Sequence, residues 1–253
     1  ALWREMAGAQ LFITGGTGFF GTWLLEAIAA ANDALQVAVG ATVLSRDPER
    51  FLLRAPHLAS RTEFAWLRGN PASFPFPATR HDYLLHLATA TSADPRHTEP
   101  IEMLHTKLAS IHHALLHARQ TGVRRMLVTS SGAVYGPQPA ALSRIPETWH
   151  GAPDPLHPAS AYGEGKRLVE QLCALTPEAP CVIARCFSFI GPHLPLHGRF
   201  AAGNFLRDAM NGGPIVVNGD GTARRSYMHP ADLVVWLLTI LLHGETGRAY
   251  NVG

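Results

Sequence analysis

Apolar residues along this chain fall into two kinds of pattern. In the first, they stand together in runs of strand length: "AQLFIT" (9–14), "VAVGATVLS" (37–45), "DYLLHLA" (82–88), "RMLVTSS" (125–131), "CVIARCF" (181–187) and "IVVNG" (215–219). In the second, they recur every three or four positions, as in "FGTWLLEAIAAAN" (20–32) and across 100–120 and 161–176. The first kind suits a strand covered on both faces, the second a helix with one apolar side. Their alternation predicts the α/β class, a doubly wound parallel sheet with helices on both faces.

From about residue 190 the rhythm changes to Pro/Gly-rich loops, "GPHLPLHG" (191–198) and "NGDGTARRSYMHP" (218–230), with helical pieces at 203–211 and 231–243. The expected organisation is a dinucleotide-binding Rossmann domain over 1–190 and a smaller substrate lobe over 191–253, partly interleaved with the sheet.

Composition narrows the class. With 253 residues, 47% of them hydrophobic and 16% charged, the chain can bury a substantial core and does not read as disordered. A net charge of +2, with the arginines spread along the chain, gives no electrostatic case for nucleic acid or an acidic membrane. A small-molecule partner is expected instead. Cys173, Cys181 and Cys186 are odd in number and form no C-x-x-C pair, which argues against disulfides and zinc and fits a reducing cytoplasm. The longest apolar run, "LVVWLLTILL" (233–242), is half of the roughly 20 residues a membrane span needs. Of 14 histidines, His113 and His117 have helical i, i+4 spacing, but no third ligand follows. They are expected on an exposed polar helix face, His193 and His197 are separated by Pro195, and no metal is expected.

Chemistry enters with "TGGTGFFG" (14–21), which puts Gly15, Gly18 and Gly21 between a strand and a helix. That spacing allows a tight turn, close approach of a pyrophosphate to the helix N-terminus, and close packing of helix on sheet. Thr17, Phe19 and Phe20 belong to the same cradle. The next strand ends "VLSRD" (43–47). An acid there would read the free ribose hydroxyl of NAD, whereas Ser45 followed by Arg46 suits the 2′-phosphate of NADP. The expected cofactor is therefore NAD(P), with NADP favoured, and Asp47 would take the acidic role if the turn were one or two residues longer.

"AYGEGKRLVEQL" (161–172) puts Tyr162 and Lys166 one helical turn apart on one face. A phenol ionises near 10, too high for a base at neutral pH. A neighbouring ammonium and an oxidised nicotinamide would both favour the phenolate, which makes Tyr162 a proton acceptor from a sugar or alcohol hydroxyl while the hydride leaves for the cofactor. On its own the pair is also compatible with an ordinary helix surface.

Taken together, "TGGTGFFG", "HLAT" (86–89), "SSGAVYG" (130–136), "YGEGK" (162–166), "ARCFSFIGP" (184–192), "GDGTARRSYMHPADL" (219–233) and "YNVG" (250–253) resemble the extended short-chain dehydrogenase/reductase family, in its nucleotide-sugar epimerase/dehydratase branch. The resemblance spans almost the whole chain. It implies that Ser131 hydrogen-bonds the oxygen being oxidised, Tyr162 moves the proton, and Lys166 holds the nicotinamide ribose while tuning Tyr162. It also implies Leu87, Ala88 and Asn70 at the dinucleotide, and Ser188, Asn204 and Arg225 at the sugar nucleotide, Arg225 on its diphosphate. Helices 100–120 and 161–176 carry additional apolar positions, including Leu104, Leu108, Ile111, Leu115, Leu168 and Leu172, and the family's equivalents form a two-fold contact, so a homodimer is implied.

Departures from the family sharpen the expectation. Ser188 stands where the family has Asn, and Asn70 where an Asp is common. The chain stops at "YNVG" where the family continues, so part of the substrate lobe is expected to be absent. Most telling are Gly132 and Ala133: the family's 4,6-dehydratases carry Asp-Glu there, and its decarboxylating members keep a glutamate at the place of Ala133. Without those acids the chemistry needs one hydride transfer and one proton shuttle. A nucleotide-sugar 4-epimerase, in bacterial surface-polysaccharide or lipopolysaccharide sugar supply, is the expected function. An NADPH-dependent 4-keto-6-deoxy sugar-nucleotide reductase is the alternative, and a non-catalytic dinucleotide-binding regulator on the same fold is a further one.

Overall fold

The computed structural model describes residues 1–88, 99–197 and 200–253. In chain order its elements are α1 (Leu2–Glu5), β1 (Gln10–Thr14), α2 (Phe19–Leu35), β2 (Gly40–Ser45), α3 (Pro48–Leu52), α4 (Pro56–Ala59), β3 (Phe64–Arg68), β4 (Tyr83–His86), α5 (Pro100–Thr121), β5 (Arg125–Ser131), α6 (Ala161–Ala174), β6 (Cys181–Cys186), α7 (Ala201–Met210), α8 (Pro230–His243) and β7 (Ala249–Val252). The strands form one sheet in the order β3-β2-β1-β4-β5-β6-β7, and every neighbouring pair is parallel. The strand order reverses between β1 and β4, which opens a crevice at their carboxyl ends.

Helices cover both faces, as the apolar pattern requires. On one face α2 (Leu24, Leu25, Ile28) and α8 (Leu233, Leu237, Leu241) pack into a core with Leu11 and Ile13 of β1. On the other, α5 (Ile111, Ala114, Leu115) and α6 (Val169, Cys173) pack on Phe12, Leu84, Met126 and Val128. Residues 126–130 of β5 are all buried, as expected for an interior parallel strand. Of the stretch expected as a substrate lobe, α8 and β7 return to the sheet, leaving α7 and the loops around it outside.

Three readings of the pattern are corrected. "IVVNG" is no strand: Ile215, Val216 and Val217 are each more than half exposed, with no sheet neighbour to use their extended preference. Conversely, 64–68 and 249–252 are strands that the apolar pattern did not mark. Their burial is partial, so they lack the continuous apolar run of an interior strand. Finally, His117 is not on an exposed face. It is fully buried against Phe12, Phe74 and Phe76, while His113 gives its ring to the Phe74 carbonyl at 2.7 Å.

Candidate active site

The glycine-rich turn sits at the β1/β4 crevice. Gly15 follows β1 with φ of +73°, and a β-carbon there would stand 2.6 Å from the Ala88 nitrogen and 2.8 Å from the Leu87 carbonyl carbon. Both the left-handed backbone and the close approach of β4 therefore demand glycine. Gly21 is equally constrained, since its β-carbon would lie 2.3 Å from Cα of Gly16. Gly18 is the N-cap of α2, its N–H donating to the Gly15 carbonyl at 3.0 Å. Thr14 Oγ1 and His86 Nδ1, 2.9 Å apart, tie the two strand ends together. Burial and the Lys166 charge hold His86 down at about 3, so its ring is neutral. Phe20 meets Phe189 edge-on at 4.9 Å, which joins the cradle to the segment after β6. A turn of three glycines and one threonine beneath a helix N-terminus fits a dinucleotide pyrophosphate.

At the end of β2 lies a depression of about 250 Å³ lined by Thr17, Ser45, Arg46, Asp47, Arg50, Phe51 and Arg54. β2 ends at Ser45, and Arg46 follows directly. Asp47 is engaged otherwise, its carboxylate accepting the Arg50 N–H at 3.0 Å as the cap of α3. Asn70, just past β3, accepts the Ala72 N–H at 3.0 Å beside this end of the sheet.

Ser131 closes β5, and Tyr162 is the second residue of α6. Two glycines let α6 come this near: β-carbons would stand 2.7 Å from the Ala133 carbonyl oxygen at Gly163, and 2.8 Å from Leu104 at Gly165. The Ser131 hydroxyl accepts the Ala133 N–H at 3.2 Å and lies beside the Tyr162 phenol. Burial pushes the Tyr162 phenol above its ordinary value, and the polar Ser131 hydroxyl works against that rise. The lowering expected of Tyr162 counts an oxidised nicotinamide as well as Lys166; in the protein alone desolvation dominates. Lys166 is buried, donates to the Thr129 carbonyl at 2.7 Å, and is pushed down to about 8 by its burial. Burial likewise pushes the neighbouring Cys186 thiol up to about 12.

Beyond Ser131 the chain turns through Gly132 and Ala133. The Phe187 ring fills the space where a Gly132 side chain would project, its Cε1 2.6 Å from the added β-carbon. Behind this edge, Ser130 donates to Glu170 at 2.6 Å, Glu170 pairs with Arg185 at 2.7 Å, and Arg185 donates to the Tyr135 hydroxyl at 2.8 Å. This chain of charged and polar groups holds β5, β6 and α6 in register.

The three residues expected at the substrate are less closely gathered. The Ser188 carbonyl accepts the Met228 N–H at 3.0 Å, so the segments carrying Ser188 and Arg225 run side by side. Arg225 itself is exposed, its Nη1 donating to the Arg224 carbonyl at 2.7 Å. Asn204 lies on α7, where its Oδ1 accepts from Arg207 at 3.1 Å.

Four residues at these sites escaped the sequence reading. Arg50 and Arg54 repeat Arg46 at intervals of four, and the Asp-Pro start of α3 was the available signal. Lys107 places Nζ 4.3 Å from the centroid of the Tyr162 ring, and its signal was a lysine on the buried stripe Met103, Lys107, Ser110, Ile111. Phe187 had no signal, because its approach to Gly132 is a tertiary contact.

Comparison with known proteins bears on the family and the fold. Arabidopsis thaliana UDP-glucuronic acid decarboxylase 2 is 30% identical over 250 residues, 97% of this chain and 53% of that protein. Xenopus tropicalis UDP-glucuronic acid decarboxylase 1 is 30% identical over 175 residues, 68% of this chain and 41% of that one. The chain thus spans about half the length of these relatives or less. Among solved structures, an epimerase from Methanothermobacter thermautotrophicus superposes with a TM-score of 0.79 at 27% identity, covering 100% of this chain and 74% of that one. The UDP-glucose 4-epimerase of Thermotoga maritima, solved with UDP-glucose, shares the fold with a TM-score of 0.79 at 20% identity, over 96% and 76% of the two chains. Residues 11–253 match the model of the NAD dependent epimerase/dehydratase family, and the chain belongs to that family.

Proposed function

We propose that this chain acts on a nucleotide sugar as an NAD(P)-dependent 4-epimerase. The observation that carries the reading is the juxtaposition of Ser131 and Tyr162, followed by Gly132 and Ala133, neither of which titrates, with Phe187 closing the space beside Gly132. Loss of water across two carbons needs a further acid and base, and nothing at these two positions supplies them. The decarboxylase relatives share the family, and Ala133 argues against their reaction here.

A nicotinamide dinucleotide, when bound, would supply the hydride acceptor and donor at C4. Gly15, Thr17, Gly18, Phe19, Phe20 and Gly21 would hold its pyrophosphate, Arg46 and Asn70 its adenosine end, Leu87 and Ala88 its middle, and Tyr162 and Lys166 its nicotinamide ribose. Ser131 orients the sugar hydroxyl, and Tyr162 takes its proton and later returns it. Ser188, Asn204 and Arg225 are assigned to the nucleotide sugar, Arg225 to its diphosphate. A homodimer through α5 and α6 draws support from the exposed Ile101 and Leu168, whereas Ile111 and Leu115 are spent on the core.

The depression lined by Arg46, Arg50 and Arg54 favours NADP over NAD, because guanidinium groups suit a 2′-phosphate. That observation also supports a second reading, an NADPH-dependent reductase of 4-keto-6-deoxy sugar nucleotides. The deciding experiment incubates the chain with NAD or NADP and UDP-glucose deuterated at C4. Inversion at C4 with the label retained supports the epimerase. Loss of water, or no turnover until a 4-keto sugar and NADPH are supplied, overturns it.

A further inference from the structure

We infer that Lys107 is a positioning residue for Tyr162, a second cation that favours the phenolate from the face of the ring. The inference rests on the reading of Tyr162 as the group that exchanges the proton. Lys107 lies on α5 and is 5% exposed, and its Nζ stands 4.3 Å from the centre of the Tyr162 ring. It reaches that place across Gly165, where a β-carbon would come within 3.4 Å of Lys107 Cδ. Gly165 is three residues after Tyr162 on the same side of α6, so the absence of a side chain there keeps the stem of Lys107 over the ring.

A cation on an aromatic face is attracted to the π-electrons, and more strongly once the phenol has ionised and its charge spreads into the ring. Among the described residues, the groups facing Tyr162 are Ser131 at the end of β5, Cys186 at the end of β6, Lys166 one turn on in its own helix, and Lys107 on α5. Ser131 lowers the phenol through its polar hydroxyl, and the Cys186 thiol stays neutral across the working range. Lys166 directs its Nζ to the Thr129 carbonyl, and its charge fades above about 8. Among the described residues, the cation that lies on the ring itself is that of Lys107.

The test is a near-ultraviolet absorbance titration of the tyrosines, with the Tyr162→Phe protein subtracted to isolate Tyr162, in the full chain carrying Lys107→Met, Lys107→Gln or Lys107→Arg. Loss of the charge is expected to raise the Tyr162 midpoint by about one pH unit or more, and Lys107→Arg to restore most of the shift. The acid limb of kcat/KM should move by the same amount, with dinucleotide affinity changed less than about threefold. An unchanged midpoint in whichever neutral variant folds overturns the inference, as does a shift that Lys107→Arg fails to rescue. Failure of the underlying reading would appear separately, as a Tyr162→Phe protein that keeps its turnover.

Discussion

The Phe187 ring lies so close to Gly132 that a β-carbon on the glycine would stand 2.6 Å from Cε1 and 2.8 Å from Cδ1. The ring is backed by Tyr135, with centroids 6.5 Å apart. Gly132→Asp should therefore overpack the turn and cost about 1–3 kcal/mol in urea unfolding, with at least half regained in the Gly132→Asp, Phe187→Ala double variant. Equal stability of the single variant and the parent would show that the ring swings away freely.

Tyr162→Phe would remove the proposed proton acceptor and one contact to the nicotinamide ribose, leaving the pyrophosphate cradle intact. Turnover should fall by about 10²–10⁴-fold while the dinucleotide Kd stays within about threefold, read by fluorescence titration beside a steady-state assay. Retention of most activity would take Tyr162 out of the mechanism.

Arg46 and Arg50 border one depression, which Thr17 of the glycine-rich turn also lines. Each lost charge-assisted bond to a phosphate is worth roughly 1.5–3 kcal/mol. Arg46→Ala and Arg50→Ala should each weaken NADPH binding by about ten- to a hundredfold and change NADH binding little, as calorimetry can read. Equal losses for both dinucleotides would sink the 2′-phosphate assignment.

Acid should destabilise the fold through histidines buried as neutral rings. Burial lowers His117 to about 4 and His86 to about 3, with His81 lowered as well, against an ordinary 6.5. The unfolded chain takes up these protons first, so stability is full above 6.5 and is lost as pH falls toward the folded values. His86 and His117 together should remove about 3 kcal/mol of unfolding free energy between 6.5 and about pH 5. Neither ring nitrogen of His117 has a hydrogen-bond partner among the described residues, so His117→Leu should flatten about half of that slope at no net loss of stability. An unchanged slope in the variant would refute this account.

The elements most legible in the sequence are those whose burial is complete. β5 is found at its own ends, and α5 and α6 within two residues, because Ile111, Ala114, Leu115 and Val169 recur at helical spacing over a buried face. β3 escapes because its buried residue Phe64 stands among half-covered neighbours at the sheet edge, and 215–217 misleads because apolar residues form a strand only where a partner strand is offered. In the site, Gly15, Ser131 and Tyr162 announce themselves through motifs tied to local backbone geometry. Lys107 over Tyr162 and Phe187 on Gly132 depend on how distant elements dock, and no local pattern encodes that.

Tyr135 donates its hydroxyl proton to Asn251 at 2.8 Å, across 116 positions, and Arg125 reaches the carbonyls of Leu241, Leu242 and Gly244. During synthesis on the ribosome, β5 leaves the exit tunnel with neither partner yet made. At ordinary elongation rates that gap lasts roughly 6–25 seconds, during which the strand carrying Ser131 has β4 and α5 beside it while its Leu127 face still waits for α8. The strand end assigned to the chemistry is encoded in mid-chain, and its packing is completed only by the last elements of the fold.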